Sequence, residues 1–504
     1  MKIFPVVLFT GFVFFGTAQK KTDPVPFGSG IKSENLQKHL YQIAGPAFEG
    51  RETATAGQRK AALYIEDFFK SIGLKPGNKD SFQMAYPVFQ DSLIAAAIEI
   101  NGLPFYINKD FDIRVANMHT TEFGVSEIVY AGYGLSDSLR DDYQGLNTAG
   151  KLVLVHNGYP PGYLQTQVNK KAFNSFSKQD AAMLHGAIGV LIIQEDFPHR
   201  EVPDKGIMYR KYFQSKIRPN SIYISEQMAR TMMGDEYEKA KNALLEPKTF
   251  PADIHISINK ETRNLQSTDV LGYLEGGDLK DQLLVISAHY DHLGRKDSVI
   301  YFGADDDGSG TVSLLELAAA FSKAKAAGKG PRRSILFLAN SGEEKGLWGS
   351  EYYTDHPVYP LNLTTADLNI DMIGRRDPGK KQGDSNNYVY IVGDDKLSSE
   401  LHPISVAMNK KYTGLELDYK FNDPKDPERI YYRSDHFNFA RKGVPIIFYF
   451  DGIHKDYHKP TDTPDKINYE LMVKRAQLVF YTAWEMANRN DMLLRDLPAV
   501  TGTR

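Results

Sequence analysis

The sequence predicts an α/β protein: a mixed, largely parallel sheet flanked by helices, with a β-rich domain inserted into it. Three observations carry that prediction. From about Asn264 onward, short apolar runs alternate with helical patterns, and apolar strands separated by helices imply a largely parallel sheet covered on both faces. Between about residues 98 and 258 the pattern changes to β-rich runs broken by Gly-rich turns. The length, 504 residues, supports two or three domains with full cores.

The elements follow in order. Lys2, a mostly apolar run over residues 3–15 and the small residues Gly16, Thr17 and Ala18 have the layout of a secretory signal peptide. The run is shorter than the roughly 20 residues of a membrane-spanning helix. Residues 1–18 are therefore expected to direct export, to a periplasm or the cell exterior. The chain contains no Cys, so no lipidated cysteine anchors it, and core burial without disulfides must hold the exported fold. Residues 22–30 read as a Gly/Pro linker. Leu36, Leu40 and Ile43 predict a helix over 33–44; Ala61, Ile65, Phe68 and Phe69 predict another over 56–72, stopped by Gly73. Residues 30–97 are assigned to the N-terminal part of the host domain, 98–258 to the insertion and 259–495 to the rest of the host.

Within the insertion, 128–130, 151–155 and 189–193 read as strands. His156, His185, His199 and His255 are scattered without ligand spacing and read as surface or packing histidines. In the host domain, strands are predicted at 282–288, 334–339, 366–372 and 444–450. A helix is predicted over 309–321, with Ser309 as its N-cap and Val312, Leu315 and Ala319 facing in. Met472, Ala476, Val479 and Ala483 mark a C-terminal helix. The composition is that of an ordinary globular protein, 42% hydrophobic and 24% charged, with a net charge of -3. That balance argues against a nucleic-acid or anionic-membrane partner, since phosphate binding calls for a basic surface.

The residues that carry chemistry cluster at strand ends. The first host strand runs into His289-Tyr290-Asp291-His292. His289 has the chemistry of a metal ligand, and Asp291 is placed to accept its other imidazole N–H. An acidic Gly-rich stretch, Asp305-Asp306-Asp307-Gly308, precedes the helix; it also reads as a capped turn, or as a calcium loop lacking EF-hand spacing. The next strand ends near Glu343-Glu344, which are able to divide the labour of ligand and general base. Asp371 sits in an apolar strand, where an unpaired carboxylate is costly and calls for a cation. Tyr457-His458 follows the last strand, with Thr461-Asp462-Thr463 close behind. Open α/β sheets place ligands at the carboxyl ends of their strands. Two His and several Asp/Glu gathered there suit paired zinc ions.

As an ordered set, His289-x-Asp291, Gly-Ala-Asp-Asp306-Asp-Gly-Ser-Gly, Glu343-Glu344, Asn-Ile-Asp371-Met-Ile-Gly and Tyr457-His458 resemble the co-catalytic di-zinc metallopeptidase family (clan MH). Its members include bacterial leucyl aminopeptidase, aminopeptidase Y and glutamate carboxypeptidase II. Phe48-Glu49-Gly50-Arg51 resembles the family's N-terminal segment. The insertion, with Tyr130-Ala131-Gly132-Tyr133-Gly134 and Gly150-Lys151-Leu152-Val153, resembles a protease-associated domain. The resemblance implies the zinc exopeptidase fold, two zinc ions, peptide substrates and a cis peptide at Asp306-Asp307. It implies Asp306 as the bridging ligand, His289 and Asp371 on one ion, Glu344 and His458 on the other, and Glu343 as general base. Tyr457 matches a tyrosine near the reacting carbonyl, and Arg433 is a cation able to contact substrate. His292 and His436 have no ligand role in the pattern and are expected behind the site or on the surface. Aminopeptidase action is the leading expectation. A carboxypeptidase or dipeptidase, a single-zinc glutaminyl cyclase, and a non-catalytic receptor-like or calcium-binding module are the alternatives. For ammonium recognition the nearby acids are Asp305, Asp307 and Asp451; for carboxylate recognition the cations are Arg375, Arg376 and Arg433.

The N-terminal layout makes a first prediction: exported protein begins near Gln19. N-terminal sequencing of the exported chain checks it, and an intact Met1 contradicts it.

Overall fold

A computed structural model of the chain describes residues 22–163, 175–198, 201–211 and 216–498. The expected signal segment and His199 lie outside the described residues. Contacts divide the chain into two compact units, one of residues 1–84 and 268–504 and one of residues 85–267. The insertion expected at 98–258 is thus longer at both ends. Its expected start falls inside one long strand, Gln83–Ile100, and its expected end inside another, Lys248–Leu274.

The main run of the first unit's sheet comprises, among the described residues, β1 (Lys248–Leu274, through its last residues), β2 (Leu279–His289), β3 (Arg333–Asn340), β4 (Thr364–Ile370), β5 (Tyr388–Val392), β6 (Glu416–Asp418) and β7 (Ile446–Phe450). Their order is β6-β5-β7-β4-β2-β3-β1. The pairs β3/β2, β2/β4, β4/β7 and β5/β6 are parallel; β1/β3 and β5/β7 are antiparallel. This is the mixed, largely parallel sheet that the sequence predicts.

Strand alternation divides the core. Leu284, Ile286 and Ala288 of β2, with Phe337, Leu368 and Ile370, pack on one face. There they meet α1 (Ser33–Ile43), α2 (Ala56–Ser71), α3 (Gly310–Ala326) and the long C-terminal helix Tyr469–Asn488. Leu283, Val285, Leu336, Leu338 and Phe448 face the other way. They pack against Tyr353 of α4 (Trp348–Asp355) and Phe437 and Phe439 of α5 (His436–Ala440). Both faces are therefore dry, which explains why these strands read as continuous apolar runs.

Three local expectations change. Residues 22–30 are not a linker: Val25–Gly28 forms a helical turn, and Phe27 is buried and stacked on Trp484 with ring centroids 5.8 Å apart. Ser309 precedes α3 but does not cap it with its side chain. Its hydroxyl donates to the Asp305 carbonyl and accepts the Ile373 N–H, both at 2.9 Å. The Gly310 N–H donates instead to Asp307 Oδ1 at 2.8 Å. That approach needs glycine, because a Cβ on Gly310 would stand 2.4 Å from the Asp307 carboxylate. Asp371, expected within a strand, lies one residue past the end of β4.

In the second unit, Thr121–Tyr130, Leu152–His156, Gly189–Gln194 and Asn220–Ser225 form a parallel run in that order. Phe111–Ile113 and residues 248–258 flank it antiparallel. Helices Ser175–Leu184 and Glu226–Met233 accompany it, so this unit is β-rich but carries helices that hydrophobic periodicity did not reveal. His156 is buried, and burial pushes its imidazole down to about 4. His185 stacks on Tyr143, and His255 is exposed.

Candidate metal centre

Four strand ends deliver the acidic and imidazole groups to one place. His289 is the last residue of β2, Asn340 the last of β3 just before Glu343 and Glu344, and Asp371 follows Ile370 of β4. The loop after β7 carries Tyr457 and His458. Asp306 comes from the turn before α3, and the Asp306-Asp307 peptide bond is cis.

Asp306 stands between two sets of donors. Its Oδ1 lies 3.4 Å from His289 Nε2, which is itself 3.5 Å from Asp371 Oδ1. Its Oδ2 lies 3.1 Å from His458 Nε2, which is 3.1 Å from Glu344 Oε2. A tetrahedral zinc with legs of about 2.0–2.1 Å sets its donors about 3.3 Å apart. The histidine–carboxylate edges of both trios, 3.4 and 3.5 Å in one and 3.1 and 3.1 Å in the other, lie close to that length, and one carboxylate serves both. His289 Nε2 and Asp306 Oδ2 are buried without a hydrogen-bond partner among the described residues, as atoms reserved for a cation would be. The residues therefore fit a pair of zinc ions.

Proximity alone also gathers Asp307 with His289 and Asp371, and His292 with Asp306 and Glu344. Hydrogen bonds set Asp307 apart from the two trios, and distance from Asp306 sets His292 apart. Asp307 Oδ1 accepts from Gly310 N and Met372 N at 2.8 and 3.0 Å, and Oδ2 accepts from His289 N at 3.2 Å. Both of its oxygens are spent on bracing the backbone. His292 is fully buried; its Nδ1 lies 2.8 Å from Glu344 Oε1 but 3.9 Å from Asp306 Oδ2. It faces the Glu344 oxygen that His458 does not. Asp291 also departs from expectation. His289 Nδ1 meets the Asp291 carbonyl at 3.1 Å, while the carboxylate Oδ1 stands at 3.7 Å. That carboxylate accepts instead from Thr53 Oγ1 at 2.7 Å and from Glu343 N at 3.1 Å. Asp291 thus holds the Glu343 backbone through its carboxylate and the imidazole through its carbonyl.

The charges respond to this crowding. Burial alone would lower both imidazoles, yet Asp371 and Glu343 hold His289 well above its usual value. The close carboxylates of Asp306 and Glu344 raise His458 to about 10. Burial opposes ionisation of Asp306, but His289 and His458 hold it well below the carboxylate range. Burial pushes Glu343 well above that range, with the neighbouring Glu344 and Asp371 acting in the same direction. The cluster thus draws positive charge toward Asp306, which is the demand a metal ion meets. Metal binding would displace protons from both imidazoles, because a ligating histidine is neutral.

One permanent cation lies beneath. Arg51 is fully buried. Its guanidinium donates to the carbonyls of Tyr290, Ile43, Phe302 and Gly303 at 2.7, 2.9, 2.8 and 2.8 Å. It so ties the segment after β2 to the turn that carries Asp306. Burial lowers its pKa to about 10, against the pull of Asp291, Asp306, Asp307 and Asp462. The tight turn before it requires Gly50, at φ +70, where a Cβ would stand 2.2 Å from the Gly294 carbonyl. Asp462 adds a second brace, its Oδ2 accepting the N–H groups of Asp305 and Asp306 at 2.9 and 3.2 Å. Sequence reading notes the Phe-Glu-Gly-Arg and Thr-Asp-Thr segments but not these roles.

The centre opens into a cleft. Asp306, Glu343 and Asp371 line its floor; Met372, Ile430, Phe448, Phe450 and Ile453 give an apolar wall, and Arg433, Ser434 and Tyr457 a polar one. The acids expected to receive a substrate ammonium are elsewhere. Asp305 accepts from Gly374 N at 2.7 Å and faces His454, Asp451 pairs with Arg475 at 3.1 Å, and Asp307 braces backbone. Arg375 is engaged with Asp456 at 2.9 Å and Arg376 is exposed, so Arg433 is the expected cation that reaches the cleft. His436 is not at the surface: it is fully buried, stacked on Phe448, and donates Nε2–H to the Tyr431 carbonyl at 2.8 Å.

Residues 269–483 match the model of Peptidase family M28. A probable leucine aminopeptidase of Arthroderma otae is 31% identical over 216 residues, covering 42% of this chain and 56% of that protein. Leupeptin-inactivating enzyme 1 of Streptomyces exfoliatus is 27% identical over 232 residues, covering 42% and 46%. The chain spans about half the length of the curated relatives it matches. Among solved structures, an aminopeptidase from Aneurinibacillus sp. strain AM-1 aligns over 95% of this chain and 100% of its own, at TM-score 0.54 and 20% identity. BSAP, a zinc aminopeptidase from Bacillus subtilis, aligns over 93% and 99% at TM-score 0.50 and 19% identity. These two establish the likeness of fold.

Arg51 carries the prediction of this site. Arg51→Met strands buried carbonyls, each costing about 1–3 kcal/mol, and is expected to destabilise the fold by at least about 3 kcal/mol. Arg51→Lys keeps the charge without the fork and is expected to fall between. Chemical denaturation followed by circular dichroism measures both, and an unchanged midpoint in Arg51→Met contradicts the assignment.

Proposed function

We infer that this chain, whose residues 269–483 belong to peptidase family M28, is an exported di-zinc metallo-aminopeptidase that releases residues from the free N-termini of peptides. The observation that carries the reading is Asp306, one carboxylate with an oxygen toward each of two donor trios at the floor of a cleft. His289 and Asp371 would hold one zinc, Glu344 and His458 the other, and Asp306 both. Bound there, the pair would supply Lewis acidity to the scissile carbonyl and lower the pKa of the attacking water.

The protein's own groups do the rest. Glu343 lines the cleft beside Asp306 and Asp371. It takes a proton from the attacking water and delivers it to the leaving nitrogen, so that the C–N bond breaks to a carboxylic acid and an amine. Asp291 holds the Glu343 N–H and keeps that side chain at the cleft. The apolar wall excludes water from around the substrate side chain. A substrate ammonium would meet the acidic floor, since Asp305, Asp307 and Asp451 are committed to internal partners. All the donor positions for two metals are present, which disfavours a single-zinc cyclase and a metal-free receptor. The second unit, read as a protease-associated domain, supplies no ligand in this scheme and acts on substrate access or partner binding.

Arg433 in the cleft favours a second reading, carboxypeptidase action, because a guanidinium binds carboxylates in a bidentate fork. Paired peptides decide between them. Cleavage of a C-amidated peptide with a free amine, but not of its N-acetylated counterpart with a free carboxylate, is expected. Cleavage of the acetylated peptide alone, from its C-terminus, overturns the aminopeptidase reading.

The adjacent glutamates separate base from ligand. Glu343→Gln is expected to retain full metal content and lose about 10²–10⁴-fold in turnover, whereas Glu344→Ala is expected to bind less zinc. Metal analysis alongside single-turnover rates checks both, and near-normal turnover of fully loaded Glu343→Gln refutes the base assignment.

A further inference from the structure

We propose that Arg433 is a positioning residue that aims the Tyr457 phenol proton into the cleft, where the reacting carbonyl oxygen gathers negative charge. The proposal rests on the hydrolytic reading of this site.

Arg433 Nη2 lies 3.1 Å from Tyr457 Oη, and both residues line the cleft with Asp306, Glu343 and Asp371. A guanidinium has donors and no acceptor, so Arg433 donates and the phenol oxygen accepts. The phenol's own proton cannot be spent on this bond, and the hydroxyl has no other hydrogen-bond partner among the described residues. A phenol of ordinary pKa, about 10, keeps its proton at neutral pH. A neutral phenol that accepts on one side and is free to donate on the other is the donor that a developing oxyanion requires. Its ring is held as well, stacked on His458 at 3.8 Å between centroids.

The backbone around Arg433 is fixed for this task. Arg433 N donates to the Ile430 carbonyl at 3.0 Å. Ser434 Oγ accepts from Asn369 Nδ2 at 2.9 Å, and Asp435 Oδ1 accepts from Ser350 Oγ at 2.5 Å. The next residue, His436, is tied to Tyr431 O. The remaining contact of the guanidinium, with the exposed Glu428 at 3.7 Å, is long and solvated, so the bond to Tyr457 is the one that orients it.

The experiment is a double-mutant cycle on the zinc-loaded enzyme, with an amidated peptide as substrate and a phosphonic-acid analogue of it as tetrahedral probe. Tyr457→Phe is expected to lower kcat about 10²–10³-fold, the usual loss for one oxyanion donor. Arg433→Ala is expected to lower kcat by about a tenth to a half of that factor on a logarithmic scale, with KM nearly unchanged, and Arg433→Lys to recover part of it. In the Tyr457→Phe background, Arg433→Ala is expected to cost nothing further. Probe affinity, measured by calorimetry, is expected to fall in the same pattern while affinity for the amine product does not. Full additivity of the two substitutions, or an Arg433→Ala effect confined to KM and to substrates with a free carboxylate, overturns the proposal. An inactive wild-type enzyme with full zinc content would instead overturn the hydrolytic reading itself.

Discussion

Negative charge buried at the end of a dry sheet is the constraint on which the rest of the first unit depends. Asp291, Asp305, Asp307 and Asp462 are essentially inaccessible, and Asp306 and Asp371 nearly so. Carboxylates in such a place persist only with cations or hydrogen-bond donors at each oxygen. The fold answers in three ways. Backbone N–H groups saturate Asp307 and one oxygen of Asp462. Arg51 and Arg475, both fully buried, bring permanent positive charge to the same depth. The oxygens left over, those of Asp306 and its neighbours, point at one another and at imidazoles across distances that suit a metal ion. The acids that hold the backbone and the acids that would hold zinc are thus distinguished by what their oxygens already touch.

That distinction marks the limit of what was legible in the sequence. The strand ends were legible, because β2, β3, β4 and β7 are buried on both faces and read as apolar runs, and ligands gather at their carboxyl ends. The ordered motif set was legible through its resemblance to a family. Asp307 and Asp306 cannot be told apart by type or spacing; only the N–H donors around Asp307 show that it is a brace. His292 was expected behind the site or on the surface; that it is buried against one particular Glu344 oxygen is a fact of fold geometry. Arg51 lies 239 or more residues from the chain segments it ties together near Tyr290 and Gly303, beyond the reach of any local pattern.

Elements missed altogether have a common cause. The edge strand Glu416–Asp418 and its neighbour Tyr388–Val392 are short, and the helix Leu401–Tyr412 buries few of its residues. Tyr388 and Tyr390 interleave with apolar residues, so neither alternation nor a helical stripe stands out. In the second unit, the helix Ser175–Leu184 shows the same weakness of pattern. The expected boundaries failed for a different reason: the strands Gln83–Ile100 and Lys248–Leu274 run through them unbroken.

The central claim is that Asp306 lies between two zinc ions. Crystals of the zinc-loaded protein, measured on both sides of the zinc absorption edge, test it most directly. The account predicts two anomalous peaks flanking Asp306, one beside His289 and Asp371 and the other beside Glu344 and His458. A single peak, or two peaks of which one is held by Asp307 or His292 in place of these residues, would contradict it.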